Sequence, residues 1–310
     1  MKVAVESTVR LSDDDKKRLG KLGQLAVYDF GCSKEDFFQI AKDADVIIGN
    51  KWFFNGMLPK LRVKLISLWS TGTDLIDAKQ CKKLGITVTN VPSYSTNSVA
   101  EQAFALIFEL TKKLRYQRDR YNRGNWCYDT TPLTELAGKT IGIIGFGNIG
   151  KKVAQIACAI DMRVLIYTRT PKQEDFPDYR FVPLGELLKN SDFVTLHVPL
   201  NDDTKYLIDK SKLEKMKKTA FIINCSRGAV INEKNLIEAL KSKAIAGAGL
   251  DVFEKEPLPH ENELTKMDNV VMTPHTAFWT KEAVERLNEI CIGNIESFFS
   301  GKKINVVSDR

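Results

Sequence analysis

The chain holds three histidines, and their settings differ. His197 lies inside the apolar run FVTLHVPL, at the carboxyl end of a strand pattern, where it reads as a hydrogen-bonded structural group or one at the edge of a bound cofactor. His260 sits in a polar, proline-flanked loop and reads as solvent-facing. His275 follows Thr273 and Pro274 at a strand end and is the one placed to work in a cleft. Such an imidazole suits reduction of a carbonyl by hydride transfer: the nascent alkoxide needs a proton donor, and the carbonyl needs a cation beside it. Arg227, in INCSRGAVI just after a strand pattern, can supply the cation as a bidentate guanidinium. Glu256, in DVFEKEP, can hydrogen-bond His275 and hold its ring protonated. Taken singly, Arg227 is equally a surface arginine and Glu256 a loop glutamate, and composition does not choose.

A hydride source is written into residues 141–170, IGIIGFGNIGKKVAQIACAIDMRVLIYTRT, which read as strand, GxGxxG, helix and strand. Gly145 permits the sharp turn, Gly147 lets a pyrophosphate approach the backbone, and Gly150 lets the helix pack closely on the strand. The helix start then offers free N–H groups and a partial positive charge to a diphosphate. An acidic residue usually ends the second strand of such a unit, where it takes the ribose hydroxyls of NAD. Here the strand ends in Thr168, Arg169 and Thr170, with Lys172 just beyond. A hydroxyl and a guanidinium can bind a 2'-phosphate that a carboxylate would repel. The expectation is therefore NADP(H), with NAD(H) possible because Arg169 and Lys172 also read as solvated loop charges.

These residues need strands and helices to carry them. Residues 3–90 alternate short apolar runs (3–5, 25–28, 46–48, 65–69, 87–91) with polar stretches of helical length, the pattern of a small α/β domain with a parallel sheet. Lys51 and the turn of Ser70, Thr71, Gly72 and Thr73 fall at strand ends that would face a cleft. Ser98 and Glu101 form an SxxE capping signature for a helix running to about Arg120, which would cross from the first domain to the second. The following WCYDTTPLTEL, with Trp126 and Pro132, reads as an extended arm serving dimer contacts or surface packing. Beyond the glycine turn, apolar runs at 193–199, 220–224, 245–252 and 270–273 repeat the strand-helix pattern, and a helix over 281–300 returns to the first domain. The fold class is α/β, with two Rossmann-like or flavodoxin-like domains. A substrate domain of residues 1–98 and 287–310 is interrupted by an NAD(P)-binding domain of residues 99–286.

With 43% hydrophobic and 27% charged residues the chain is long enough for two ordinary cores. Its net charge of +7 comes from scattered lysines, and the densest group, residues 210–218, reads as a solvated helix face. No nucleic-acid partner is expected, since no arginine-rich arm or reading motif accompanies the charge. Six cysteines, at 32, 81, 127, 158, 225 and 291, form no CxxC pair, so no metal is expected and the thiols read as reduced, in the cytoplasm. The apolar start MKVAVEST is too short for a signal segment, and no stretch reaches membrane-spanning length. Nor does any segment read as a regulatory extension.

Four blocks then resemble the D-isomer-specific 2-hydroxyacid dehydrogenases over nearly the whole chain: GIIGFGNIG, LKNSDFVTLHVPLNDDTKYLI, INCSRGAVINEKNLIEALKSKAIAGAGLDVFEKEPLP and NVVMTPHTAFWT. The resemblance implies that Arg227 binds substrate, Glu256 orients and polarises the histidine, and His275 is the acid/base. It also implies Thr71 and Gly72 at the substrate carboxylate, Asn148 and Ile149 at the diphosphate, Val198 and Cys225 along the cofactor, and Asp251 at the nicotinamide carboxamide. Lys51 joins the expected substrate-binding residues, and Thr96 the expected cofactor residues. The blocks GNKW, STGTDLIDAK and NVPSYSTNSVAEQ look most like those of glycerate dehydrogenases, also called hydroxypyruvate reductases. That likeness implies a homodimer reducing hydroxypyruvate or glyoxylate to the D-2-hydroxy acid. Thr168 is the one departure from the family pattern. The alternatives are a D-3-phosphoglycerate dehydrogenase, using Lys51 on the phosphate, and a dinucleotide-sensing corepressor-like protein. Formate dehydrogenase relatives are set aside, because they carry glutamine where Glu256 stands.

Overall fold

The computed structural model describes residues 1–28, 33–50, 56–74, 76–127, 132–171, 179–302 and 304–307. Lys51, Lys172 and the middle of the expected arm, residues 128–131, lie outside them. The chain forms two compact units, Met1–Ser95 with Trp279–Arg310, and Thr96–Phe278.

The first unit holds β1 (Lys2–Val5), α1 (Asp13–Leu22), β2 (Gln24–Val27), α2 (Lys34–Ala41), β3 (Val46–Gly49), β4 (Leu65–Leu68), α3 (Ala78–Lys83), β5 (Thr87–Thr89) and the last helix, α10 (Lys281–Phe299). Its sheet runs β2-β1-β3-β4-β5, every pair parallel. Strands covered on both faces read as unbroken apolar runs. VIIG in β3 and LISL in β4 are accordingly buried at every residue. α1 is capped as its sequence dictates, with Ser12 Oγ accepting from Asp15 N–H at 3.1 Å and Asp15 accepting from Ser12 N–H at 2.9 Å. α10 buries Leu287, Cys291, Ile292 and Ile295 and packs on β4 and α1. A boundary at 286/287 would cut through that continuous helix, so the division falls at 278/279 instead.

The second unit holds α4 (Thr96–Lys112), α5 (Leu114–Asn122), β6 (Thr140–Ile144), α6 (Asn148–Ala159), β7 (Arg163–Tyr167), β8 (Arg180–Phe181), α7 (Leu184–Asn190), β9 (Phe193–Leu196), α8 (Lys210–Leu213), β10 (Phe221–Asn224), α9 (Glu233–Lys241), β11 (Gly247–Leu250) and β12 (Val270–Met272). Its sheet runs β12-β11-β10-β9-β6-β7-β8, again parallel throughout. Strand order reverses around β6, where open α/β sheets leave a crevice beyond their carboxyl ends.

α4 differs from its sequence reading at both ends. It starts at Thr96, so Ser98 lies inside the helix, buried, and is not its cap; the SxxE spacing here is incidental. It stops at Lys112 because Lys113 turns left-handed, at φ 49°, and α5 begins as a separate helix. The buried face of α4 packs on α6, β10, β11 and β12. At Gly249 an added Cβ would lie 2.9 Å from that of Leu106. The lysines of residues 210–218 lie at the surface, with Lys212 paired to Asp209 and Lys217 to Asp192, each at 2.8 Å. Among the described residues, no helix is long and apolar enough to cross a membrane. Cys81, Cys127, Cys158, Cys225 and Cys291 are free thiols. Ile107, fully buried on α4, tests this packing: Ile107→Ala should cost about 2–5 kcal/mol in a urea unfolding series, and a loss under about 1 kcal/mol would mean that α4 does not carry the core.

Candidate active site

The glycine turn joins β6 to α6. Gly145 has φ 97°, and a Cβ there would lie 2.5 Å from the His197 carbonyl oxygen, so both backbone and space demand glycine. At Gly150 a Cβ would run into the Gly145 oxygen of the turn and reach within 3.4 Å of Ile143 Cγ2 on β6, so α6 lies close to the turn first and to the strand next. Gly147 differs: a Cβ would meet nothing within 4 Å. It is the N-cap of α6 and brings no capping side chain, and the first turn, with Asn148 and Ile149, carries no acidic residue. The turn thus leaves its backbone open to an anion, with no carboxylate of its own to compete.

Register places the neighbouring residues at the same end of the sheet. Ile144 pairs with Tyr167 on one side and Leu196 on the other, so Thr168 and His197 leave the sheet beside Gly145. Thr168 is half-buried, while Arg169 and Thr170 are exposed. Arg169 Nη1 lies 3.4 Å from Asp203 Oδ2. His197 has Nε2 2.9 Å from Thr195 Oγ1, and its Nδ1 is buried with no hydrogen-bond partner. Burial pulls its pKa down to about 3, so the ring is neutral at pH 7, as a structural or cofactor-edge histidine should be. An orphaned buried nitrogen beside an anion-accepting turn fits a bound dinucleotide. Val198, half-buried, comes within 2.9 Å of the Cβ that Gly145 lacks.

The ends of β10, β11 and β12 gather the other candidates. Asn224, last in β10, accepts from Ser226 N–H at 3.0 Å and donates to the Arg227 carbonyl at 2.9 Å, which curls the chain into the turn carrying Arg227. Arg227 Nη1 donates to the Ser226 carbonyl at 2.8 Å. Cys225 is buried, and burial with the neighbouring Asp251 pushes its thiol pKa well up, so it serves as a small apolar wall. Gly228 presses on the segment after β11: a Cβ there would lie 1.9 Å from the Phe253 carbonyl carbon.

Glu256 and His275 meet. Glu256 Oε2 is 2.7 Å from His275 Nδ1, and Oε1 accepts from Phe253 N–H at 3.0 Å. Burial opposes ionisation of Glu256, but the hydrogen bond and charge of His275, the Phe253 N–H and the charge of Arg227 outweigh it, and its pKa falls below the ordinary 4.5. The stability this lends is fully present above that ordinary value and is lost as pH falls through the lower folded one. His275 itself is left-handed, at φ 54°, and Asp251 holds it so. The Asp251 carboxyl, buried and with its pKa raised chiefly by that burial, accepts from Thr273 Oγ1 at 2.5 Å, Thr276 N–H at 2.9 Å and Ala277 N–H at 2.9 Å. Its own carbonyl accepts from His275 N–H at 2.8 Å.

Arg227, Glu256, His275, Asp251, Cys225, Val198, Thr96 and the glycine-turn residues all belong to the second unit. Thr71 and Gly72 belong to the first, in the turn after β4, where Thr71 Oγ1 donates to the Val91 carbonyl at 2.6 Å and Asn90 Nδ2 donates to that of Thr71 at 2.7 Å. The sequence reading missed Asn224, Gly228, Thr273 and Asp203. Only Asn224 left a local signal, an Asn at a strand end opening a turn.

A parallel sheet in this order, with an open glycine turn at its reversal point, defines a nicotinamide-dinucleotide-binding unit. Comparison with known proteins narrows the class. Residues 104–277 match the family model described as D-isomer specific 2-hydroxyacid dehydrogenase, NAD binding domain. The chain is 36% identical over 308 residues to a hydroxypyruvate reductase of Blautia hydrogenotrophica, covering 96% of this chain and 95% of that protein. It is 41% identical over 258 residues to a glycerate dehydrogenase of Methylorubrum extorquens, covering 81% and 80%. Among solved structures it resembles the acyclic imino acid reductase Bsp5 in complex with NADPH and D-Arg, with TM-score 0.88, 32% identity, and coverage of 99% of this chain and 100% of that one. The chain belongs to the D-isomer specific 2-hydroxyacid dehydrogenase family.

Gly228 offers a test of how Arg227 is positioned. Gly228→Ala forces a methyl group into the Phe253 backbone and should lower stability by about 1–3 kcal/mol, read as a fall in melting temperature; an unchanged melt would show that the two segments are not packed as described.

Proposed function

We propose that the protein reduces a short 2-keto acid, hydroxypyruvate or glyoxylate, to the D-2-hydroxy acid, with Arg227, Glu256 and His275 as its working residues and NADPH favoured over NADH. The observation that carries this reading is the 2.7 Å contact between His275 Nδ1 and Glu256 Oε2. It rests also on the hydroxypyruvate reductase and glycerate dehydrogenase that the chain resembles.

A nicotinamide dinucleotide, held by Gly145, Gly147 and Gly150, would supply the hydride that reduces the keto carbon. Arg227 pairs with the substrate and polarises its keto oxygen as negative charge develops there. Glu256, ionised and bonded to Nδ1 at 2.7 Å, fixes which way the His275 ring faces. His275 Nε2 gives its proton to the nascent alkoxide and regains one from solvent. Thr71 and Gly72 enter as substrate-binding residues on the family resemblance, and Lys51 from its place in the sequence just after a strand pattern. Asn148, Ile149, Val198, Cys225 and Asp251 enter on the resemblance as cofactor residues, Thr168 and Thr170 enter from their place at the end of β7, and Thr96 joins them. The NADPH preference rests on Thr168 and on Arg169, where a carboxylate would exclude a 2'-phosphate. A cytoplasmic homodimer completes the reading: the dimer comes from the resemblance, the compartment from cysteines that read as reduced thiols.

His275→Ala should lower kcat by about 10²- to 10⁴-fold while dinucleotide affinity, followed by nicotinamide fluorescence, holds; a variant with near-normal turnover would remove the proposed acid. Across hydroxypyruvate, glyoxylate, pyruvate and 3-phosphohydroxypyruvate, kcat/KM should be highest for one of the first two and higher with NADPH than NADH. A tenfold advantage for NADH would refute the cofactor preference.

A further inference from the structure

Arg169, just beyond β7, is paired across the sheet end with Asp203, its Nη1 3.4 Å from Oδ2. Asp203 comes from the turn after β9, and that turn is tied by its own hydrogen bonds. Asn201 Oδ1 accepts from the N–H groups of Asp203 at 3.0 Å and Thr204 at 3.1 Å. Thr204 Oγ1 accepts from Asn201 N–H at 2.9 Å and donates to the Pro199 carbonyl at 2.6 Å. The carboxylate is therefore presented from a fixed backbone. β7 and β9 flank β6 on opposite sides, so the turns carrying Arg169 and Asp203 leave the sheet at the same end as the glycine turn.

We propose that Asp203 is a specificity-determining residue for the dinucleotide: it competes with a 2'-phosphate for Arg169 and so sets how far NADPH is preferred over NADH. The inference rests on the reading of Arg169 as the 2'-phosphate ligand. Both side chains are largely exposed, 83% for Arg169 and 76% for Asp203, and an exposed pair of this kind is weakly held. A phosphate dianion that takes the guanidinium's donors in pairs can displace a single carboxylate. The displaced carboxylate stays on its tied turn, however, and repels the phosphate at short range. A ribose 2'-hydroxyl carries no charge, does not contest Arg169 and meets no such repulsion. The penalty thus falls on NADPH alone. Thr168 removes the usual acidic residue from the end of β7, and Asp203 returns a carboxylate to the same sheet end from a different strand.

The test measures binding as well as turnover. Dissociation constants for adenosine 2',5'-bisphosphate and for 5'-AMP are determined by calorimetry at low and high salt for the unaltered protein, Asp203→Asn, Asp203→Ser and Arg169→Ala, and kcat/KM with NADPH and NADH is determined alongside. Both Asp203 substitutions should shift the bisphosphate-to-AMP affinity ratio, and the NADPH-to-NADH ratio with it, about three- to tenfold toward the phosphorylated ligand. The shift should shrink at high salt. A change under twofold with both substitutions overturns the inference, whichever cofactor the unaltered protein prefers. Arg169→Ala checks the underlying reading separately, since it should weaken the bisphosphate relative to 5'-AMP; equal binding of the two ligands before and after would refute Arg169 as the phosphate ligand.

Discussion

The chemistry assigned to this protein depends on one short contact, His275 Nδ1 to Glu256 Oε2 at 2.7 Å, and that contact depends on a left-handed residue. A non-glycine residue at positive φ costs roughly 1–2 kcal/mol and persists only where its surroundings over-determine it. Here they do. One buried carboxyl, Asp251, accepts donors from residues on both sides of His275, and its backbone carbonyl takes the His275 N–H. Removal of any one donor would leave a buried acceptor short of partners, so the turn is held by groups that have nowhere else to bond.

The same logic of close approach runs through the rest of the second unit. At Gly145, Gly150, Gly228 and Gly249 a single methyl group would meet backbone or core atoms at 2.9 Å or less: Gly145 presses on the turn after β9, Gly150 on the glycine turn, Gly228 on the segment after β11 and Gly249 on α4. Gly147 is the exception: a methyl group there would meet nothing, and the start of α6 has no side-chain cap. The sheet beneath keeps these turns in register. Parallel pairing from β12 through β8 delivers every strand's carboxyl end to one side, and the reversal around β6 opens the place where the glycine turn lies.

Charge is arranged as deliberately as space. His197 is kept neutral by burial, while Glu256 is kept ionised despite burial because His275, the Phe253 N–H and Arg227 favour its charged form. Both pKa values move down, and the outcomes are opposite: the imidazole is held neutral and the carboxylate charged.

The sequence by itself determined the glycine turn, the apolar strands and the family. Glycine spacing records steric demands that act over a few residues, and a strand buried on both faces must be apolar throughout. It determined which histidine belongs at a strand end before a turn. It misjudged the ends of α4, because a left-handed Lys113 and an interior Ser98 depend on what the helix packs against rather than on capping propensity. It gave no sign of β8, two residues whose pairing with β7 is their only reason to be a strand. Only the tertiary structure decided the pairings: Glu256 with His275 across 19 residues, Arg169 with Asp203 across 34, and the three donors gathered on Asp251. Those bonds form between the ends of strands that lie side by side or, for Arg169 and Asp203, on either side of β6, and the order of strands is settled by the burial of whole faces, a sum over the sheet that no short stretch of residues contains.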